Sequence, residues 1–198
     1  MALAALTGWR SGSAALALAL ALTGAALPSA WAEDTPAKSL REQALALYPV
    51  DDISSPDRNG DYDIPAGAQA DKARQARTLL AQASKEGDKD ADRLLGLMLE
   101  VGAGGPRDQV AARIHYARSG SRNALWRLGL LHLDGKGGPR NPALARSLFK
   151  QSSDQGQIDA SYEYGRMVEL GLGGPKDPLQ ARAIYEKTLK WCHGDIAN

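Results

Sequence analysis

Three short stretches decide how this sequence folds: Gly102-Ala103-Gly104-Gly105-Pro106-Arg107-Asp108, Gly135-Lys136-Gly137-Gly138-Pro139-Arg140-Asn141 and Gly171-Leu172-Gly173-Gly174-Pro175-Lys176-Asp177. They recur at intervals of 33 and 36 residues, the period of a tandem helical array. Other positions fall into register around them. Gly96, Gly129 and Gly165 stand six residues before each run, and Ala91, Ala124 and Ala160 five residues before those. Ala112-Arg113, Ala145-Arg146 and Ala181-Arg182 follow each run, with Tyr116, Phe149 and Tyr185 four residues beyond the alanines.

One unit can be read from these positions. A first helix, A, starts near the alanine and carries apolar residues at helical spacing: Ala124, Leu128 and Leu131, or Ala160, Tyr164 and Met167. The glycine inside it costs roughly 1 kcal/mol relative to alanine, so its presence in every unit predicts a close helix approach with no side chain in the way. The glycine-rich run closes helix A, because glycine tolerates the left-handed conformation and proline cannot continue a helix. Asp108, Asn141 and Asp177 then have the chemistry of N-caps for a second helix, B, with Pro142 and Pro178 at its first position. Neither helix can bury its apolar stripe alone, so the units must stack. Only four residues separate Tyr116 from Gly120, against seven between Phe149 and Gly156. The first complete unit therefore has a helix B about one turn shorter, which predicts a local change in stacking and no break.

The array starts earlier in degenerate form. Ala76-Arg77 and Leu80 match the helix B pattern, and Lys38 to Tyr48 reads as a helix before it, with a loop rich in Pro, Asp and Gly from Pro49 to Gly67. The organisation expected is a helix and loop over 33–69, a leading half repeat over 70–90, repeats over 91–123 and 124–159, and a third repeat with a C-terminal cap over 160–198. The first 32 residues read differently. One charge, Arg10, precedes an Ala/Leu run from Ala14 to Leu27, then Pro28 and Ala30-Trp31-Ala32, the order of a cleavable secretory signal cut before Glu33. The run is shorter than the ~20 residues that cross a bilayer, and no cysteine follows it to mark a lipid anchor. Export to the periplasm, with secretion as the alternative destination, is the expectation, without stable membrane insertion after cleavage.

Cleavage would remove Arg10 and leave 23 basic and 23 acidic residues. Overall balance of this kind offers no drive for nucleic-acid binding. Cys192 is the only cysteine, so no intramolecular disulfide forms; it reads as a small buried residue or as one half of an interchain pair.

The spaced positions resemble the Sel-one-like repeat family, relatives of the tetratricopeptide repeats. Ala124, Leu128, Gly129, Gly135, Gly137, Asn141, Ala145 and Phe149 occupy the family's places, and the likeness covers residues 91 to about 190 well and 70–90 in part. The sequence departs from the pattern where the family has valine: Gly105, Gly138 and Gly174 stand there, each followed by proline. The resemblance implies an all-α solenoid that binds proteins, often in bacterial envelopes, with no catalysis and no cofactor. An immunity or modulator protein acting on an effector is a narrower form of the same expectation. Alternatives are a hydrolase acting on cell-wall material, although the paired cysteines of β-lactam-binding relatives are absent, and a structural protein that forms homo-oligomers through its last helix B.

Candidate partner-binding residues are the non-repeating ones on the A helices: Arg93 and Glu100; Trp126, Arg127 and His132; Tyr162, Glu163, Arg166 and Glu169. Trp, Tyr and Arg are the usual interface anchors, and Trp126 and Tyr162 hold equivalent places in successive units. The glycine runs lack the Lys-Ser/Thr of a phosphate loop. His115, His132 and His193 show no metal-ligand spacing. Asp57, Asn59, Asp61 and Asp63 alternate like the start of a calcium loop, but Tyr62 replaces the glycine and Ala68 the glutamate such a loop requires, so a polar turn explains them as well.

Overall fold

The computed structural model describes residues 36–50 and 67–193, except the side chains of 191–193. The leading segment 1–32, the acidic run 57–63 and the Cys192 side chain lie outside the described residues. Among the described residues the regular structure is α-helical: α1 (Pro36–Leu47), α2 (Ala68–Lys85), α3 (Lys89–Val101), α4 (Gln109–Ser119), α5 (Arg122–Asp134), α6 (Pro142–Asp154), α7 (Ile158–Leu170) and α8 (Pro178–His193). Helices α3, α5 and α7 are the A helices of the three units, and α4, α6 and α8 are the B helices. Each helix packs on the next in chain order, the signature of a solenoid. No described helix is long and apolar enough to cross a membrane.

The caps follow from local chemistry. Oδ1 of Asp108, of Asn141 and of Asp177 accepts from the backbone N–H three residues on, at 2.9, 3.0 and 2.9 Å. Gly102, Gly135 and Gly171 close the A helices with φ of 88°, 76° and 73°, the left-handed region in which a side chain is strained. Asp88 caps α3 through the N–H groups of Asp90 and Ala91, and Arg41 of α1 binds both Asp88 and Asp90. The leading helix is thereby tied to the first complete unit.

The repeated residues form the core. Ala91, Ala124 and Ala160 are buried, as are Met98, Leu131 and Met167 seven positions later. The mid-helix glycines have a more specific role than helix approach. In each unit the helix B aromatic lies against the glycine of its own helix A: a Cβ at Gly96, Gly129 or Gly165 would stand 2.8, 2.6 or 2.5 Å from the ring of Tyr116, Phe149 or Tyr185. A side chain does occupy the space, and it comes from the partner helix.

Junctions between units depend on the rest of the glycine run. The second glycine, Gly104, Gly137 or Gly173, sits on the preceding helix B, where a Cβ would overlap the backbone carbonyl of Ala73, Gln109 or Pro142. The third, Gly105, Gly138 or Gly174, leaves room for the guanidinium of Arg77, Arg113 or Arg146. Those arginines belong to the preceding helix B and donate to carbonyls of the next unit. Arg77 reaches Pro106 at 3.1 Å, Arg113 reaches Leu131 at 2.7 Å and Gly138 at 3.3 Å, and Arg146 reaches Pro175 at 3.0 Å. The departure from the family's valine is therefore a seat for an arginine clamp.

A second polar contact marks two junctions. The Ser84 hydroxyl donates to Asp92 at 2.7 Å, and Ser153 pairs with Ser161 at 2.8 Å in the equivalent place. The short α4, 11 residues long, ends before that position. There Ser119 and Ser121 pair across the turn instead, and α5 brings a buried Leu125. The stack continues through this altered junction.

Candidate functional site

The non-repeating positions on the A helices form two kinds of surface. On α5, Trp126, Leu130 and Leu133 are half-buried and pack with Tyr164 and Leu172 of the next unit around Phe149 and Met167. The Trp126 Nε1 is buried and has no hydrogen-bond partner, and the Arg127 guanidinium lies 5.6 Å from the Trp126 ring centre. On α7 the corresponding stripe is open. Tyr162 is 57% and Leu170 55% exposed, with Arg166 between them on the same helical face.

Charges along the A helices pair with one another. Arg127 of α5 reaches Glu100 of α3 at 3.2 Å, and Glu100 also accepts from the Tyr116 hydroxyl at 2.6 Å. Arg166 grips Glu163 through Nε and a terminal nitrogen at 3.0 and 2.8 Å, and this bond holds its guanidinium above the usual arginine pKa. Glu169 accepts from Tyr185 at 3.1 Å. Burial first, and then this hydrogen bond, push the Tyr185 phenol up to about 12. The Tyr162 and Tyr185 rings meet with centres 5.8 Å apart.

A pattern within the array explains these pairs. Where helix B carries tyrosine, as at Tyr116 and Tyr185, helix A offers a glutamate nine residues after its alanine, Glu100 or Glu169. Where helix B carries Phe149, helix A offers Leu133. Hydroxyl and carboxylate are present together or replaced together.

The six predicted contact residues are not one cluster. Trp126 and Tyr162 hold equivalent positions, but Trp126 packs inward and Tyr162 outward. Arg93 shares their position on α3 and is half-buried; Arg127 and Arg166 are engaged with Glu100 and Glu163. His132 stands apart. It occupies the place of Leu99 and Val168, which are buried. Its Nδ1 is buried without a hydrogen-bond partner, and burial, helped by the charge of Arg113, lowers its pKa below 6.5.

One further constellation was not legible in the sequence. Asp92, almost fully buried, accepts from Ser84 and lies 2.7 Å from Nδ1 of His115. The three residue types of a hydrolase triad are together, but the serine hydroxyl is buried and donates to the carboxylate. It is not aligned for activation by the imidazole. The arrangement serves a repeat junction.

Fold and surface together define a solenoid of helical hairpins with variable A-helix faces. The chain belongs to the Sel1 repeat family: the model of the Sel1 repeat matches residues 89–123, 122–157 and 158–189. Sel1 repeats are protein–protein interaction modules and typically non-catalytic scaffolds. Among solved structures, a Sel1 repeat protein from Oxalobacter formigenes is 29% identical with a TM-score of 0.55, over 60% of this chain and 36% of that one. A protective antigen of SLR fold from uropathogenic Escherichia coli strains is 24% identical with a TM-score of 0.65, over 81% of this chain and 32% of that one. The chain thus spans about a third of the length of these relatives. No curated protein matches it.

Proposed function

We propose that this chain is a non-catalytic adaptor of a bacterial cell envelope, exported to the periplasm by its leading 32 residues and binding another protein through the faces of α3, α5 and α7. The observation that carries this reading is the division within each A helix. Positions that repeat are buried, whereas Arg93, Trp126 and Tyr162 change identity from unit to unit at a position that is half-buried on α3 and α5 and exposed on α7. Variation at fixed geometry is how a repeat array acquires a particular partner. Tyr162 and Leu170 supply exposed aromatic and apolar area on α7, flanked by the Glu163–Arg166 pair. An effector in the same compartment, held inactive as by an immunity or modulator protein, is a partner that suits this design.

The test is recovery of crosslinked partners by the wild-type chain and by a Tyr162→Ser, Leu170→Ser variant, both residues exposed on α7, whose fold is checked by circular dichroism. Loss of the principal partner from the variant is expected; equal recovery by both rejects the surface. Amino-terminal sequencing of the protein from a periplasmic fraction should begin at Glu33, and a chain retaining Met1 or confined to the cytoplasm rejects the export reading.

A further inference from the structure

We infer that the junction between α4 and α5 is a hinge in the array, opened when His132 takes up a proton. Three features set this junction apart from the other two. Helix α4 is 11 residues long and ends before the position held by Ser84 and Ser153 in the other units. The polar tie those serines make to the following A helix is therefore missing, and Ser119 pairs with Ser121 within the turn instead. The arginine clamp is also placed differently. Arg77 and Arg146 hold the carbonyls of Pro106 and Pro175 in the glycine turns. Arg113 reaches past its turn to the carbonyl of Leu131, near the end of α5, at 2.7 Å.

His132 is the third feature. It stands where the other A helices bury Leu99 and Val168. Its Nδ1 and the Nε of Arg113 are both buried without a hydrogen-bond partner. Burial first, and then the charge of Arg113, hold its pKa below 6.5. Arg113 is the cation that acts on it from α4. Charges on the other elements around α5 are engaged: Glu100 of α3 with Arg127, Arg140 of the turn with the Leu133 carbonyl, Lys150 of α6 with Asp154, and Asp134 with Lys136.

In the closed junction a neutral imidazole lets Arg113 lie against α5. A proton on His132 sets a second positive charge beside the guanidinium in a partly buried place, where like charges are poorly screened. Opening carries the ring to water and away from Arg113, so the open form binds the proton more tightly and acid shifts the population toward it. The Glu100–Arg127 pair, which joins α3 to α5, and the buried side chains of Ala124, Leu125 and Leu128 remain as the pivot. The inference rests on this junction and is independent of what the A-helix surface binds.

The test is a distance between spin labels, measured by pulsed electron resonance on the full chain carrying Cys192→Ser. Gln75→Cys with Gln151→Cys spans the junction, and Gln75→Cys with Ala117→Cys stays on one side of it; all three positions are exposed. As pH falls below 6.5 the spanning distance should lengthen while the other stays fixed and the helical circular dichroism is unchanged. Its midpoint should match the titration of the His132 ring followed by nuclear magnetic resonance. His132→Leu should remove the response. Arg113→Ala, which lacks both the clamp and the charge, should show the long distance at every pH. His115→Gln, at the neighbouring junction, should respond as the wild type does. A spanning distance indifferent to pH overturns the proposal, even where the His132 ring titrates, because the ring then turns locally. So does a response that survives His132→Leu, one lost in His115→Gln, or one that appears equally in the pair on one side, which is acid unfolding.

Discussion

Gly129 shows how two opposing terms are resolved at a single residue. Replacing it with alanine improves helix propensity by about 1 kcal/mol. The new Cβ would stand 2.6 Å from the Phe149 ring, and overpacking of that kind costs about 1–3 kcal/mol. Gly129→Ala is therefore expected to lower stability by on the order of 1 kcal/mol in denaturant titration, and Gly129→Ala with Phe149→Leu to show a smaller loss than the two single changes added. The tyrosine–glutamate pattern gives a second test. Phe149→Tyr alone sets a hydroxyl against Leu133, and Leu133→Glu alone sets a carboxylate against Phe149. The double variant restores the arrangement of Tyr116 with Glu100, so a double-mutant cycle should give favourable coupling of roughly 0.5–3 kcal/mol. His132 supplies a third, with a defined sign. Its pKa in the folded chain lies below 6.5. Above that pH both folded and unfolded states are neutral. As pH falls from 6.5 toward the folded value, the unfolded chain takes up a proton that the folded chain does not, and stability drops. His132→Leu, matching Leu99, should raise the melting temperature at neutral pH by removing an unsatisfied buried nitrogen, on the order of 1 kcal/mol. Its advantage over the wild type should widen as pH falls below 6.5; a constant difference would reject the assignment.

At the scale of the element, the glycine run divides into positions with different tolerances. Gly137→Ala combines a left-handed backbone with overlap of the Gln109 carbonyl, and a loss of about 3 kcal/mol or more is expected. Gly174→Ala, at a glycine outside the left-handed region, meets only the guanidinium of Arg146 and should be distinctly milder, a contrast that thermal melts of the two variants would resolve. This distinction marks the limit of what was legible beforehand. The Asp108, Asn141 and Asp177 caps could be read because each bonds an N–H three residues away. The helix-ending role of Gly102, Gly135 and Gly171 was local too. Gly129 and Phe149 were both visible as repeating positions, yet their contact required the hairpin to be closed. The clamp lay further from view. Arg146 and Pro175 are separated by 29 residues, and Gly174 stood out only as a departure from the family's valine. The inward packing of Trp126 and the outward position of Tyr162 were likewise indistinguishable in sequence. The difference depends on the neighbouring unit, since Trp126, Leu130 and Leu133 pack with Tyr164 and Leu172 against a buried cluster that includes Ala160 and Met167 of α7.

Across the whole molecule, stability is carried by contacts between neighbours in chain order, from the Arg41 tie at α3 to the clamp of Arg146 on the last turn. Such an array tolerates changes in the number of units better than changes within one. The clamp adds a direction: every link runs from a B helix to the glycine turn of the next unit. That has a consequence for how the gene can lengthen or shorten. Excision of residues 117–149 joins Tyr116 to Lys150, keeps the Tyr116 ring on Gly96, and brings Arg113 into the place of Arg146 before the turn at Gly173-Gly174. The shortened chain should express as a cooperatively melting helical protein by circular dichroism. A deletion of equal length from 102 to 134, which cuts at a turn and removes Arg113 together with α4, joins Val101 to Gly135 and leaves α6 as the first unit's helix B, so it too keeps the period. The informative contrast is loss of 105–134, which joins Gly104 to Gly135, leaves the turn three residues too long and should melt lower than either. Recombination in register, wherever it falls in the unit, thus supplies a route by which such arrays change length while each arginine keeps a turn to grip.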